Sequence, residues 1–80
     1  NGEQIAANKV QGARCALAWN EEIARLARQH NDAWLVSIGA RQHPEDQAIA
    51  IVDAFLDEPF SEDERHVRRI GIISDYDSKR

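Results

Sequence analysis

The pair Asn1-Gly2 is followed at once by Glu3, in the opening segment NGEQIAANK. A carboxylate in the first turn of a helix has an ordinary role, which is to balance the positive end of the helix dipole. Beside a glycine-bearing turn lined with amides it has a second, as a general base next to a place that stabilises an oxyanion. His30, in RQHND, falls at the end of a helical pattern. A half-buried, hydrogen-bonded histidine is one reading. The other is a proton donor, because the C-terminal end of a helix favours imidazolium, with Asn31 beside it to hold a hydroxyl group. Arg65 and Arg69, in ERHVRR, are four residues apart and share a helix face, with His66 and Arg68 directed elsewhere. They form either a solvated charged face or a two-pronged grip on phosphate, which guanidinium geometry suits. Arg41 follows SIGA, where a parallel sheet presents ligand-binding loops. His30, His43 and His66 lack metal-ligand spacing, and Cys15 reads as a small hydrophobe in mid-strand. No metal and no thiol chemistry are expected.

These residues need elements to position them. GEQIAANK predicts a short helix with Ile5, Ala6 and Ala7 as its apolar patch. Ala13 to Trp19 is a nearly continuous apolar run after Gly12 and predicts a buried strand. Asn20 is an N-cap, with Glu21 and Glu22 in the first turn. Ile23, Leu26, Ala27 and His30 then mark one helical face, and Asn31 ends it in a left-handed conformation. Trp34 to Ala40, stopped at Gly39, predicts a second buried strand. Pro44 opens a third helix, whose face is Ala48, Ile51, Val52 and Phe55, and Pro59 ends it. Ser61 to Glu64 reads as a capping box for a last helix with a Val67, Ile70, Ile73 stripe, weakened at Gly71, and the tail DSKR is expected to fray. Strands alternating with helices imply a parallel sheet. Two strands alone leave faces and edges of such a sheet uncovered.

Composition narrows the classes. Eighty residues allow one small domain or part of a larger one. The formal net charge of -4 argues against a general nucleic-acid surface. The single cysteine excludes an internal disulfide and suits a reducing compartment. No run approaches the roughly 20 apolar residues of a membrane span, and no signal-peptide pattern is present. The expected setting is cytoplasmic, without a membrane or nucleic-acid partner.

NGEQIAANK, GARCALAW, ARQHNDAW, SIGARQH, AIAIVDAFLDEPF and ERHVRRI, in this order and spacing, resemble the type B ribose-5-phosphate isomerase family, which also contains the galactose-6-phosphate isomerase subunits. The resemblance runs from Asn1 to about Tyr76. It implies a Rossmann-like, three-layer α/β/α fold with a parallel sheet, of which residues 1–80 form the C-terminal half of one domain. It also implies a dimer or higher homo-oligomer with shared active sites. In the family, an anion-binding loop ends at the positions of Asn1 and Gly2, and its amides hold an enediolate. Glu3 matches the base of the branch that uses glutamate. His30 matches the acid that helps open the sugar ring, and Asn31 a substrate contact. Arg41, Arg65 and Arg69 match substrate-binding arginines, the last two gripping the phosphate. A proline common in the family's NKVPG turn is Gln11 here, a change expected to affect only the turn.

The resemblance therefore implies an aldose-ketose isomerase of pentose phosphate metabolism that interconverts ribose 5-phosphate and ribulose 5-phosphate without a cofactor. It further implies that this half alone is inactive, with Glu3 and His30 serving different active sites of one dimer. A galactose- or allose-6-phosphate isomerase is the runner-up. A non-catalytic relative would bind phosphosugar without exchanging the C2 hydrogen, and a nucleic-acid fragment using RHVRR would bind with steep salt dependence.

Overall fold

The computed structural model describes residues 1–39 and 41–80. The element order is α1 (Gly2–Ala7), β1 (Cys15–Leu17), α2 (Glu21–Asn31), β2 (Leu35–Ser37), α3 (Glu45–Asp57) and α4 (Glu64–Asp77). The strands are parallel, with Cys15 opposite Leu35, Ala16 opposite Val36 and Leu17 opposite Ser37. This is the parallel α/β arrangement that the alternation of elements predicts, and it fits the Rossmann-like fold that the resemblance implies.

Local chemistry explains the boundaries. The Asn20 carboxamide oxygen accepts from the Ile23 amide at 2.8 Å and starts α2. Pro44 caps α3, its fixed φ suited to helix entry and its missing N–H costing nothing there. The helix ends at Asp57, two residues before Pro59. The left-handed residue after α2 is Asp32 (φ 45°), one later than expected, and Asn31 stays helical. Arg28 reaches across one turn to Asp32 Oδ1 at 2.8 Å and favours that extra residue.

Both strands are three residues long and half-buried, shorter and more open than the apolar runs predict. Strand length is set by the ladder a partner offers, and β1 and β2 pair only with each other among the described residues. Ala40, at the end of the second run, lies outside the described residues. The core is thin and alanine-rich: Ala18, Ala24, Ala27, Ala33 and Ala54 surround Ile51 and Phe55. Small side chains on α2 and α3 let those helices approach closely. His30 is exposed rather than half-buried, because the inner face of α2 is centred on Ala24 and Ala27.

The C-terminal region departs most from expectation. Ser61 does not cap α4; Asp63 does, accepting from the Arg65 amide at 2.9 Å. Glu62 adopts φ 61°, and this turn separates Ser61 from the helix start. Val67 and Ile73 are about half exposed, and the buried residue of α4 is His66. The tail is held rather than frayed. Asp77 accepts from the Gly12 amide and pairs with Arg80, whose guanidinium reaches the Asn8 carbonyl. Gln11, where proline is usual, donates to the Asp77 carbonyl at 2.8 Å, a bond proline could not make. Gly12 turns the chain at φ 87°, which favours glycine.

Two predictions arise from this architecture. The Gly12 amide, and next Arg80, hold the Asp77 carboxyl below the usual carboxylate range. A depressed value stabilises the tail contact above an unfolded pKa of about 4, and the contact is lost as pH falls through the folded value. The protection factor of the Gly12 amide, its exchange rate relative to the intrinsic rate at each pH, should therefore fall in acid, and Asp77→Asn should abolish that pH dependence. Arg28→Met should lower stability by about 2 kcal/mol, since it strips charge-assisted bonds from two backbone carbonyls. A urea midpoint is the readout, and Arg28→Lys, lacking the fork, should not restore it.

Candidate functional site

Topology separates the candidate residues into two groups. Asn8 bonds to both the amide and the carbonyl of Cys15, which seats the C-terminal end of α1 beside the start of β1. The N-terminal end of α1, with Asn1, Gly2 and Glu3, therefore points toward the carboxyl ends of the strands. Arg41 follows β2 at that same end. Helix α2 leaves the carboxyl end of β1 and runs back, so His30 and Asn31 stand at the amino ends of the strands. A single chain thus does not bring Glu3 and His30 into one site.

The end bearing His30 has the fuller geometry. The Ser61 amide donates to the Gln29 carbonyl at 3.3 Å, and Gln29 donates to the Glu58 carboxylate at 2.8 Å. These bonds bring the start of α4 beside the end of α2. The rings of His30 and His66 then lie 4.3 Å apart between centroids, tilted by 35°. Ser61 Oγ is 3.2 Å from His66 Nδ1. The His66 residue is only 6% exposed, and burial holds its imidazolium form below the ordinary histidine range. His30, Arg65 and Arg69 add repulsion, which Asp63 partly offsets. Asp63 is itself held below the usual carboxylate range, first by the Arg65 amide and then by the surrounding cations.

Arg65 and Arg69 are exposed on α4, on either side of His66 in sequence. Arg65 has only a 4.0 Å contact to Asp63, and Arg69 makes no ion pair among the described residues. Arg65, Arg68 and Arg69 follow Glu62, Asp63 and Glu64, so acids and arginines are equal in number here, and the Arg69 guanidinium has no acidic partner among the described residues. Asn31 is exposed, and its carbonyl is held by Arg14 Nε at 3.0 Å. Glu3, Asn1, Gly2 and Arg41 are exposed, and His43 is half-buried. Cys15 is half-buried, and desolvation raises its thiol above the ordinary value, which suits packing rather than nucleophilic chemistry.

An open cavity of about 760 Å³ lies between β1 and the last turns of α4, bordered by Cys15, Ala16, Ile73 and Tyr76. Of the candidate residues it touches Asn31 alone, and its arginines, Arg14 and Arg80, are engaged by Asp32 and Asp77. It has the character of an apolar seam beside β1 rather than of a phosphate site. Sequence reasoning missed His66, which was assigned away from the arginine face and given no role. The signal was partial: His66, Ile70 and Asp77 follow at i, i+4 and i+11, and these are the residues of α4 that are buried or half-buried.

The family model for ribose/galactose isomerase matches residues 1–73. Ribose-5-phosphate isomerase B of Mycobacterium leprae is 61% identical over 77 residues, covering 96% of this chain and 48% of the relative. The Bacillus subtilis putative sugar phosphate isomerase is 42% identical over 98% of this chain and 52% of its own length. A type B ribose 5-phosphate isomerase mutant from Trypanosoma cruzi superposes with a TM-score of 0.94 at 44% identity, covering 98% of this chain and 51% of that one. The Mycoplasma genitalium isomerase, solved with ribulose-5-phosphate bound, gives 0.93 at 40% identity, covering 99% and 51%. The chain spans about half the length of the curated relatives it matches. With 73 of its residues under one family model and a parallel α/β fold shared with the solved members, the chain belongs to the ribose/galactose isomerase family.

Proposed function

We propose that this chain serves as the C-terminal half of an enzyme that interconverts ribose 5-phosphate and ribulose 5-phosphate. The observation that carries the reading is the grouping of His30, Asn31, Arg65 and Arg69 at one end of the molecule, an acid beside a phosphate grip, in a member of this family. In the aldose-to-ketose direction His30 protonates the ring oxygen as the furanose opens. Glu3 takes the C2 proton, and the amides around Asn1 and Gly2 stabilise the resulting enediolate, an effect of about 3 kcal/mol per donor. Glu3 returns the proton to C1, while a proton passes from the C2 hydroxyl to the former carbonyl oxygen. Oxidation at C2 and reduction at C1 balance within one molecule, so the reaction requires no external electron acceptor.

Arg65 and Arg69 hold the phosphate away from the reacting carbons and use that binding energy to orient C1 and C2. Arg41 contributes a further substrate contact. Because Glu3 and His30 face opposite ends of the chain, each site of a homodimer draws its base from one subunit and its acid from the other. An N-terminal half supplies the remaining strands and most of the anion-binding loop, and the unpaired thiol of Cys15 fits a cytoplasmic setting. A hexose 6-phosphate isomerase remains the second reading, since a bound phosphate and an acid at this spacing serve either sugar length.

Turnover of ribose 5-phosphate by the full-length isomerase carrying this chain tests the proposal. Residues 1–80 alone should show no turnover. In the full-length protein Glu3→Gln should lower kcat by about a hundred- to ten-thousand-fold. Survival of full activity would remove Glu3 from the role of base. Arg69→Ala should act chiefly on KM, raising it about tenfold to a hundredfold through loss of a charge-assisted phosphate contact. Faster turnover of allose or galactose 6-phosphate than of the pentose would favour the second reading.

A further inference from the structure

We propose that His66 is a positioning residue for His30, fixing by ring-on-ring packing the direction from which His30 approaches the sugar ring oxygen. The proposal rests on the isomerase reading above and adds to it a residue that touches neither the substrate nor the reacting atoms.

The geometry points inward from α4. His66 is the buried residue of that helix, and the other residues around it, Arg65, Val67, Arg68 and Arg69, are exposed. Its ring lies against that of His30, 4.3 Å between centroids. His30 is exposed, ends a helix, and makes no side-chain hydrogen bond among the described residues. An exposed side chain with no hydrogen bond samples several rotamers, and a proton donor that wanders by about 1 Å loses roughly a hundredfold in rate. The His66 ring is the surface that limits this freedom.

A short relay orients His66 in turn. The Asp63 amide donates to Ser61 Oγ at 3.2 Å, and the same hydroxyl lies in hydrogen-bond contact with His66 Nδ1, also at 3.2 Å. A hydroxyl can donate to or accept from an imidazole nitrogen, so this contact fixes the ring with either tautomer of neutral His66. Ser61 is anchored to α2 through its own amide and the Gln29 carbonyl, one residue before His30. The same three-residue segment therefore sets both rings. Desolvation first, then His30, Arg65 and Arg69, with Asp63 opposing them, favours the neutral form of His66. In that form the ring packs against His30 at a tilt of 35° without adding a positive charge beside it.

The test separates ring opening from proton transfer at carbon. Ribose 5-phosphate is a closed furanose and needs His30. Ribulose 5-phosphate is open-chain, and exchange of its C1 hydrogen with deuterium from solvent needs only Glu3 and the enediolate site. In the full-length isomerase, His66→Gln should lower kcat/KM for ribose 5-phosphate by about tenfold to a hundredfold. Deuterium incorporation into ribulose 5-phosphate should stay within about twofold of the unmodified enzyme. His66→Phe, which restores an aromatic face, should recover most of the loss. A parallel fall in both reactions would assign His66 a structural role only, and unchanged kinetics would remove it from the mechanism; either overturns the proposal. If His66→Gln does not fold, Ser61→Ala carries the test, with a several-fold loss expected in the aldose reaction alone and equal rates overturning it. Absence of turnover by the unmodified full-length protein would instead sink the isomerase reading itself.

Discussion

Four groups from separate parts of the chain converge on the Arg28 guanidinium. Its Nε donates to the Glu58 carbonyl at 2.9 Å, past the end of α3. Its Nη1 donates to the Ala33 carbonyl at 2.6 Å and to Asp32 Oδ1 at 2.8 Å, in the turn from α2 into β2. The guanidinium carbon also stands 5.9 Å from the centroid of the Phe55 ring in the core. A planar fork meets several acceptors at once where a lysine would meet one. Arg14 holds the same turn from the start of β1, through the Asn31 and Asp32 carbonyls. Because His30 and Asn31 end the helix that these two arginines hold, their position depends on the pair. Arg41, Arg65 and Arg69 are a different set, exposed after β2 and on α4.

The thin core explains why such polar clamps matter. Five of the seven buried hydrophobic residues are alanines, each contributing little area removed from water. Trp19, Trp34, Leu56, Ile72 and Tyr76 are mostly exposed. These large apolar side chains therefore add little to the area removed from water. The short strands have the same origin, because a parallel sheet is ordinarily covered on both faces and flanked by further strands. Among the described residues the helix-to-helix packing of α2 on α3 is well developed and the two-stranded sheet is thinly covered.

The direction of the chain also constrains the chemistry. In a parallel β-α-β unit, a helix that follows a strand must return to the sheet's starting end before the next strand begins. Glu3 at the head of α1 and His30 at the tail of α2 consequently stand at opposite ends of the strands, and one chain does not bring the two side chains together. Arg65 and Arg69 lie on α4, the helix that meets the end of α2 through His66 and His30.

Periodicity and punctuation in the sequence determine the order of all six elements, the cap at Asn20, the start at Pro44, the stop before Pro59 and the inner face of α3. These are local properties: a side chain bonding to an amide three residues away, or a ring that fixes φ, acts in much the same way in any surroundings. The candidate residues were singled out from their types and neighbours together with the family resemblance, and the structure supplies their positions. Other features depended on what lies across space. The strands shortened because pairing requires a neighbour. The tail became fixed because Asp77 and Arg80 found Gly12 and Asn8, distant in sequence. The cap of α4 moved from Ser61 to Asp63 when the turn at Glu62 left the serine hydroxyl facing His66. The burial of His66 against His30 belongs to the same class: α4 has several faces that could turn inward, and the face chosen was decided by which one met the end of α2.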